Sequence, residues 1–339
     1  MSETPLAKDF LLNISGQLLL ARALGIVTDL GIADLVAAGP KSMPDLAEET
    51  GCDQDALYRL LRMLGGHGIF AEDEQGYIEL TPRAELLQID HPDSVHDLFV
   101  LSWQDIHWNT YQALPEAVMT GEIAFDIAYE KSFFDYLAEF PNLNAVFDRR
   151  MAGVSQAENA QVAKVYAFNE HTPVIDIGGG QGGLLAAILA QHPDTTVALY
   201  EQPQVLADPA SLREAGLLDI VARVAGNFFE EIPSGFGLYV LKRIIHDWDD
   251  DQAVRLLRRC REAMSDTSRI LVIDAVMQPG NDPDPNKNLD LSIMALTPGR
   301  ERTEAEFAGL FATAGLRLTR VIATELPSTL SLVEGERVN

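Results

Sequence analysis

A run of glycines between two apolar stretches constrains the fold of this 339-residue chain more than any other feature. Residues 174–177 have the pattern of a buried strand, residues 178–183 contain five glycines, and residues 184–191 have the pattern of a helix. Strand, glycine turn and helix in this order form a nucleotide-binding element, because the helix N-terminus presents free N–H groups and glycine lets a ligand approach the backbone. The run therefore predicts an α/β sheet with a ligand at the carboxyl ends of its strands.

The glycine spacing fits two cofactors. Gly178, Gly180 and Gly183 match the dinucleotide pattern, and Glu201, after the next predicted strand, would be the acid that binds ribose. Asp176 shifts the balance, because an acid two residues before the first of several alternating glycines is the pattern associated with S-adenosylmethionine. An ordinary tight turn explains the glycines less well, since a strand and a helix flank them. These residues favour S-adenosylmethionine and leave a nicotinamide cofactor open.

Strand and helix patterns alternate after residue 172, which indicates a doubly wound, Rossmann-like parallel sheet. The predicted strands are residues 174–177, 196–200, 238–241 and 270–273, followed by an antiparallel pair at 317–324 and 328–333. We expect a catalytic domain over residues 99–339, with a helical lead-in at 99–171 and the Rossmann-like core at 172–339. An N-terminal domain would occupy residues 1–98.

The N-terminal part predicts a winged helix. Apolar residues at helical spacing fill residues 10–38, Ser42 and Asp53 have the form of helix caps, and a hairpin pattern ends near residue 81. A winged helix commonly binds DNA, but acids at residues 72–74 and a formal net charge of −26 oppose contact with phosphate. We therefore expect a scaffold for a homodimer and no nucleic-acid partner.

Cysteine usage and hydropathy favour the cytoplasm. Cys52 and Cys260 lack the paired spacing of a zinc site or a disulfide framework. Uninterrupted apolar stretches such as residues 184–190 fall short of the roughly 20 residues of a membrane helix, and residues 1–13 lack a signal-peptide pattern. We expect a cytoplasmic protein with no metal and no membrane partner.

A histidine follows another predicted strand. His246 comes shortly after residues 238–241, at the carboxyl edge where open parallel sheets bind ligands. A solitary histidine is more often a packed or surface residue than a base, so position alone leaves both interpretations open. The acids at residues 249–251 are explained as the cap and first turn of the next helix.

Six blocks of sequence in a fixed order resemble the plant-type family of small-molecule O-methyltransferases, which includes caffeic acid methyltransferases and bacterial enzymes of aromatic antibiotic biosynthesis. The blocks are residues 57–64, 147–151, 176–183, 226–229, 242–248 and 299–307. The resemblance covers nearly the whole chain. It departs from the plant pattern at Asn227, where an aspartate is usual, at Val154, where a histidine is frequent, and at Pro298, where a second glycine is usual.

The resemblance implies an S-adenosylmethionine-dependent enzyme of secondary metabolism that methylates a hydroxyl of a small phenolic, polyketide or phenazine-like molecule. It implies His246 as the general base, with Asp274 and Glu301 as its orienting acids. Together with the glycine pattern, it implies a cofactor site of Ser155, Asp176, Gly178, Gly180, Glu201, Asn227, Phe228 and Lys242. It also implies that the acceptor pocket is lined by Phe147, Met151 and Ile293.

Taken singly, some of these residues have simpler interpretations. Asp274 could be a solvated strand end, and Glu301 could pair on the surface with Arg300 or Arg302. Other functions also stay open: N-methylation, cofactor-assisted hydroxylation or decarboxylation, a nicotinamide oxidoreductase, and a winged-helix regulator. His246 favours oxygen methylation, because a hydroxyl must lose its proton to become a good nucleophile.

Overall fold

The computed structural model describes residues 3–102, 104–326 and 328–338. The chain forms two compact units, one of residues up to Gln112 with Leu137–Arg150, the other of Ala113–Tyr136 with the residues from Met151 onward. The predicted N-terminal domain falls within the first unit, and the predicted sheet core falls within the second. The helical lead-in between them is shared by both units, so the domain limits at residues 98 and 171 stay predictions.

The first unit opens with helices around a small antiparallel sheet of order β1-β3-β2. Its elements to residue 102 are α1 (Glu3–Asp29), α2 (Ile32–Ala37), β1 (Lys41–Ser42), α3 (Met43–Thr50), α4 (Gln54–Gly66), β2 (Phe70–Glu72), β3 (Tyr77–Leu80), α5 (Pro82–Glu85) and α6 (His96–Ser102). Ser42 and Asp53 cap α3 and α4 by accepting the N–H groups of Asp45 and Ala56. The predicted helix, turn, helix and wing order is confirmed.

Helix α1 exposes much apolar surface, with Phe10 64% and Leu19 67% accessible. Its segment Lys8–Asp29 is long and apolar enough to cross a membrane by length and composition, and only 17% of its most apolar window is buried. A count of uninterrupted apolar residues did not identify this helix as a possible membrane span, because Asn13 and Gln17 interrupt the run. The mean hydropathy of the segment nevertheless remains high. By length and composition this helix is one candidate membrane span, so the absence of a membrane partner stays a prediction.

Further helices connect the N-terminal elements to the large sheet. They are α7 (Asp105–Thr120), α8 (Ala124–Tyr129), α9 (Phe133–Glu139) and α10 (Pro141–Val165). In the second unit, the Phe125 ring stacks on Tyr129 with centroids 4.7 Å apart and meets Phe133 edge-on at 5.3 Å. Aromatic residues here are thus largely packed against one another, as expected for a core.

The second unit contains the large sheet, of order β10-β11-β8-β7-β4-β5-β6. Its elements are β4 (Val174–Ile177), α11 (Gly183–Gln191), β5 (Val197–Glu201), α12 (Pro203–Leu206), α13 (Ala210–Glu214), β6 (Ala222–Ala225), β7 (Leu238–Lys242), α14 (Asp250–Ala263), β8 (Arg269–Met277), α15 (Asn286–Leu296), β9 (Arg302–Thr303), α16 (Glu304–Ala314), β10 (Leu316–Ala323) and β11 (Leu330–Arg337). Strands β4 to β8 are parallel, while β11 runs antiparallel between β8 and β10. The predicted doubly wound sheet is confirmed, and β6 is a strand that the sequence did not indicate, because it is mostly exposed.

The order of the strands determines where a ligand can bind. From β4 the chain adds β5 and β6 on one side and β7 and β8 on the other, so the direction of winding reverses between β4 and β7. Apolar cores on both faces pack the sheet against α14 and α16 on one side and against α10 and α11 on the other. A crevice forms outside the carboxyl ends of strands at such a reversal.

Candidate active site

The glycine loop joins β4 to α11 and folds tightly over Asp176. Gly178 has a φ of 70°, a left-handed value that favours glycine, and a Cβ there would lie 2.7 Å from Cδ1 of Ile244. A Cβ on Gly179 would lie 2.2 Å from Oδ2 of Asp176. The loop therefore excludes side chains at these two positions and leaves bare backbone at the carboxyl end of β4.

Asp176 is a buried carboxylate with an unused acceptor atom. Its side chain is 1% exposed, and Oδ1 has no hydrogen-bond partner among the described residues. Burial raises the pKa of Asp176 to about 7, although the positive charge of Lys242 acts in the opposite direction. An orphaned buried acceptor at this position fits a ligand with a cationic donor, such as the ammonium group of S-adenosylmethionine.

Glu201 ends β5 beside the same loop. Its Oε2 accepts the N–H of Gly180 at 3.2 Å, and its Oε1 accepts the N–H of Gln202 at 2.7 Å. The side chain is partly buried, so Glu201 is more than a solvated strand end. A carboxylate about 20 residues beyond a glycine loop, at the end of the second strand, fits the hydroxyls of a ribose.

The segment after β6 borders the loop through an aromatic ring. Cε1 of Phe228 lies 3.4 Å from the Cβ position of Gly178, and the Phe228 ring packs against Phe229 with centroids 4.9 Å apart. Asn227 is exposed, and its Oδ1 accepts the N–H of Phe229 at 3.0 Å. Asn227 therefore stabilises the local turn, and its contact with adenine stays a prediction.

A buried ion network lies at the end of β7. Nζ of Lys242 lies 2.9 Å from Oε2 of Glu158 and donates to Oγ of Ser155 at 3.4 Å. Nε of Arg243 donates to both carboxylate oxygens of Glu158, at 3.1 and 3.2 Å. The sequence predicted Lys242 and Ser155 but missed Glu158 and Arg243. The available signal for Glu158 was its position three residues after Ser155, on the same helix face.

His246 lies just beyond β7, on a single 3₁₀ turn, Ile245–Asp247, which we call the His246 turn. Its ring is 7% exposed, and Nδ1 lies 2.8 Å from Oε1 of Glu301. Nε2 lies 3.6 Å from Oδ1 of Asp247, which is too long for a hydrogen bond. Burial lowers the pKa of His246, but the charge of Asp274 and the hydrogen bond to Glu301 outweigh it and raise the pKa to about 9.

Asp274 lies on β8 and contributes charge to the site without contacting the imidazole. It is fully buried, and neither carboxylate oxygen has a hydrogen-bond partner among the described residues. Burial raises the pKa of Asp274 to about 7, opposed mainly by the positive charge of His246. The simpler interpretations are wrong for both acids, since Asp274 is not solvated and the fully buried Glu301 pairs with His246 rather than on the surface.

This arrangement suits proton transfer. Oε1 of Glu301 accepts a hydrogen bond from Nδ1 of His246 and so favours the tautomer in which Nδ1 carries the proton. Nε2 is then the basic nitrogen, and it has no hydrogen bond within the described chain. An imidazole oriented by a carboxylate in this way can accept a proton from a hydroxyl and hold the resulting positive charge.

The predicted acceptor-pocket residues come from two helices that are far apart in sequence. Phe147 and Met151 lie one turn apart on α10, and Ile293 lies on α15. All three side chains are partly buried. Their contact with an acceptor stays a prediction. Within the ranges that the structure describes, no group of three histidine, cysteine, aspartate or glutamate side chains could hold a metal ion.

Comparison with known proteins assigns both parts of the chain. Residues 12–90 match an O-methyltransferase dimerisation domain, and residues 111–317 match an O-methyltransferase domain. Phenazine O-methyltransferase PhzM of Lysobacter antibioticus is 37% identical over 98% of this chain and 97% of that protein. The 8-amino-8-demethylriboflavin N,N-dimethyltransferase of Streptomyces davaonensis is 34% identical over 87% of this chain and 86% of that protein.

A solved structure bears on the cofactor. The structure of CalO1, a methyltransferase in calicheamicin biosynthesis, in its adenosylhomocysteine-bound form superposes with a TM-score of 0.83 at 32% identity, and the match covers all of both chains. Fold and site together define an S-adenosylmethionine-dependent methyltransferase. The chain belongs to the plant-type O-methyltransferase family, as its sequence blocks predicted. The predicted cofactor is confirmed, and the nicotinamide and regulator alternatives are withdrawn.

Proposed function

We propose that this O-methyltransferase methylates a hydroxyl of a small aromatic metabolite, with His246 as general base. The observation that carries the proposal is the 2.8 Å contact between Nδ1 of His246 and Glu301, because it leaves Nε2 to accept a proton. The roles of Asp274 and Glu301 differ: Glu301 orients the ring, while Asp274 stabilises its positive charge through space.

When bound, S-adenosylmethionine supplies an activated methyl group. Asp176 would hold its amino acid end, Lys242 and Ser155 would assist at its adenine and amino acid ends, and Glu201 would bind its ribose hydroxyls. Phe228 and Asn227 would line the adenine, and the backbone at Gly178 and Gly180 would allow the close approach. Nε2 of His246 takes the proton of the acceptor hydroxyl while the hydroxyl oxygen attacks the methyl carbon, so that no free phenolate is required. Glu301 stabilises the resulting imidazolium.

An aromatic acceptor is supported by the relatives rather than by the rings of α8, since Phe125 is fully buried and stacked on Tyr129 within the core. We propose that Ile293, Met151 and Phe147 line the acceptor pocket. The substrates named for the relatives, phenazine and demethylriboflavin compounds, are planar heteroaromatics, which supports the same class here.

We expect purified enzyme with S-adenosylmethionine to add one methyl group to members of a panel of phenols, hydroxyquinones and hydroxyphenazines, detected by mass spectrometry. Matched arylamines belong in the panel, because one relative is an N,N-dimethyltransferase. If only the amines were methylated, the acceptor atom would be nitrogen and not oxygen, and the proposed O-methylation would be wrong. Binding of adenosylhomocysteine without any methylated product would contradict the aromatic acceptor. An unmethylated product that is hydroxylated or decarboxylated would instead identify cofactor-assisted hydroxylation or decarboxylation.

We also propose a cytoplasmic homodimer in which α1 covers its apolar side chains against a second copy. Light scattering should give about twice the chain mass of 37.2 kDa without detergent. Leu19→Glu should shift the protein towards monomer, because it places a charge among exposed apolar residues of α1, whereas Met119→Glu, at an exposed position of α7, should not. A wild-type monomer, or protein recovered only from membranes, would contradict this assembly.

A further inference from the structure

Arg302 is a buried cation next to the active site. The sequence analysis assigned this arginine no function. It is 1% exposed and is the largest of the fully buried side chains in the described part of the chain. It lies on β9, whose register pairs Arg302 with Val276 on β8, the strand that carries Asp274. Burying a guanidinium is costly unless its donors are bonded, so the partners of Arg302 indicate what it does.

The guanidinium of Arg302 donates hydrogen bonds to backbone carbonyls on both sides of His246. Nη1 donates to the carbonyl of Ile245 at 3.1 Å, and Nη2 donates to the carbonyl of Trp248 at 2.9 Å. Nε and Nη2 also donate to Oδ1 of Asp250, at 3.1 and 2.7 Å. One rigid, planar group thus binds the backbone immediately before His246 and two residues after it.

The residues next to Arg302 hold the middle of the same turn. The N–H of Arg300 donates to the carbonyl of His246 at 2.9 Å, and Glu301 binds the imidazole. A Cβ on Gly299 would lie 1.9 Å from the carbonyl oxygen of His246, so the two backbones are in close contact. Because a single 3₁₀ turn is weak by itself, its position depends on these external bonds.

We propose that Arg302 is a positioning residue that holds the His246 turn in register with Glu301. This inference rests on the proposed role of His246 as the base. Without the guanidinium, the carbonyls of Ile245 and Trp248 lose the bonds from Arg302, and the turn is free to shift relative to β9, which lengthens the bond between His246 and Glu301. A misplacement of about 1 Å is sufficient to lower a rate by about 100-fold.

The test compares Arg302→Ala and Arg302→Lys with a control two residues away. Arg302→Ala should lower kcat by roughly 10- to 100-fold and leave adenosylhomocysteine affinity, measured by calorimetry, unchanged. Lysine should restore little of the rate, because it cannot span both carbonyls, whereas millimolar guanidinium added to Arg302→Ala should restore part of it. Glu304→Ala should have little effect, because the exposed Glu304 side chain makes no hydrogen bond to the His246 turn in the described chain.

The pH dependence separates positioning from general damage to the fold. The acidic limb of the kcat/KM profile should move to lower pH in Arg302→Ala, towards that of Glu301→Gln, because both variants weaken the bond that favours the protonated imidazole. A variant that merely unfolds would lose rate equally at every pH. Wild-type kcat, or a lowered kcat with an unmoved limb, would overturn the inference. NMR titration of His246 detects the change in its pKa without turnover. It therefore tests whether Arg302 positions the His246 turn even if His246 is not the base.

Discussion

His246→Ala should lose about 100-fold or more of its turnover while it binds adenosylhomocysteine as tightly as the wild type does. The rate falls because the variant has no group to remove the hydroxyl proton. Cofactor affinity is retained because the hydrogen bond of His246 is to Glu301 and none is to the glycine loop or to Glu201 in the described chain. Turnover by mass spectrometry and binding by calorimetry measure the two quantities separately.

The pH profile of the wild type provides a second readout of the same base. The pKa of His246 is raised to about 9, so the basic, neutral form of the ring is populated as pH rises through that value. For the free enzyme, kcat/KM should therefore fall as pH decreases below about 9. That acidic limb should be absent in His246→Ala, whose small residual rate no longer depends on the imidazole.

The matched control is His67→Ala, which removes an exposed imidazole in the other unit of the chain and should retain full activity. His246→Gln adds a variant of nearly native volume that cannot act as a base at neutral pH. If either His246 variant turned over at the wild-type rate, or if both lost cofactor binding together with turnover, the assignment of the base would be wrong.

Glu201→Ala should weaken adenosylhomocysteine binding by roughly 10- to 100-fold, since hydrogen bonds to a charged group contribute about 1.5–3 kcal/mol. The variant loses the expected bonds to the ribose and also the acceptor for the N–H of Gly180. At saturating cofactor, kcat should stay close to the wild-type value, because Glu201 does not contact His246. Calorimetry and saturation kinetics check both expectations.

A neighbouring acid controls for the loss of charge. Asp194→Asn removes one negative charge from the exposed segment before β5, at the end of that strand opposite Glu201, and should leave the affinity unchanged. Equal weakening by both variants would point to the overall charge, and unchanged affinity in Glu201→Ala would remove Glu201 from the cofactor site. Glu201→Gln should bind with intermediate affinity, since its amide oxygen can still accept the Gly180 N–H.

Short-range signals explain most of what could be predicted about the fold. Side chains such as Ser42 and Asp53 bond to amides three residues away, so helix starts were visible in the sequence. Nearly continuous apolar runs placed the buried parallel strands, because both faces of those strands are covered. By contrast, β6 was missed because it is mostly exposed and has no such run, and the position of β11 between β8 and β10 depends on pairing between distant segments.

The sequence by itself determined the kind of site, because Asp176 and Glu201 lie at the carboxyl ends of strands, the glycine loop and His246 come just after strands, and parallel strands end at one edge of the sheet. Only the tertiary structure distinguished the roles of the acids: Glu301 bonds to the imidazole, whereas Asp274 is buried without a partner. Only the structure showed that Arg302 binds the His246 turn, which precedes it in the sequence by more than fifty residues. Hydrogen bonds between distant residues require the donor and acceptor atoms to lie close together, and no local pattern in a sequence encodes such distances.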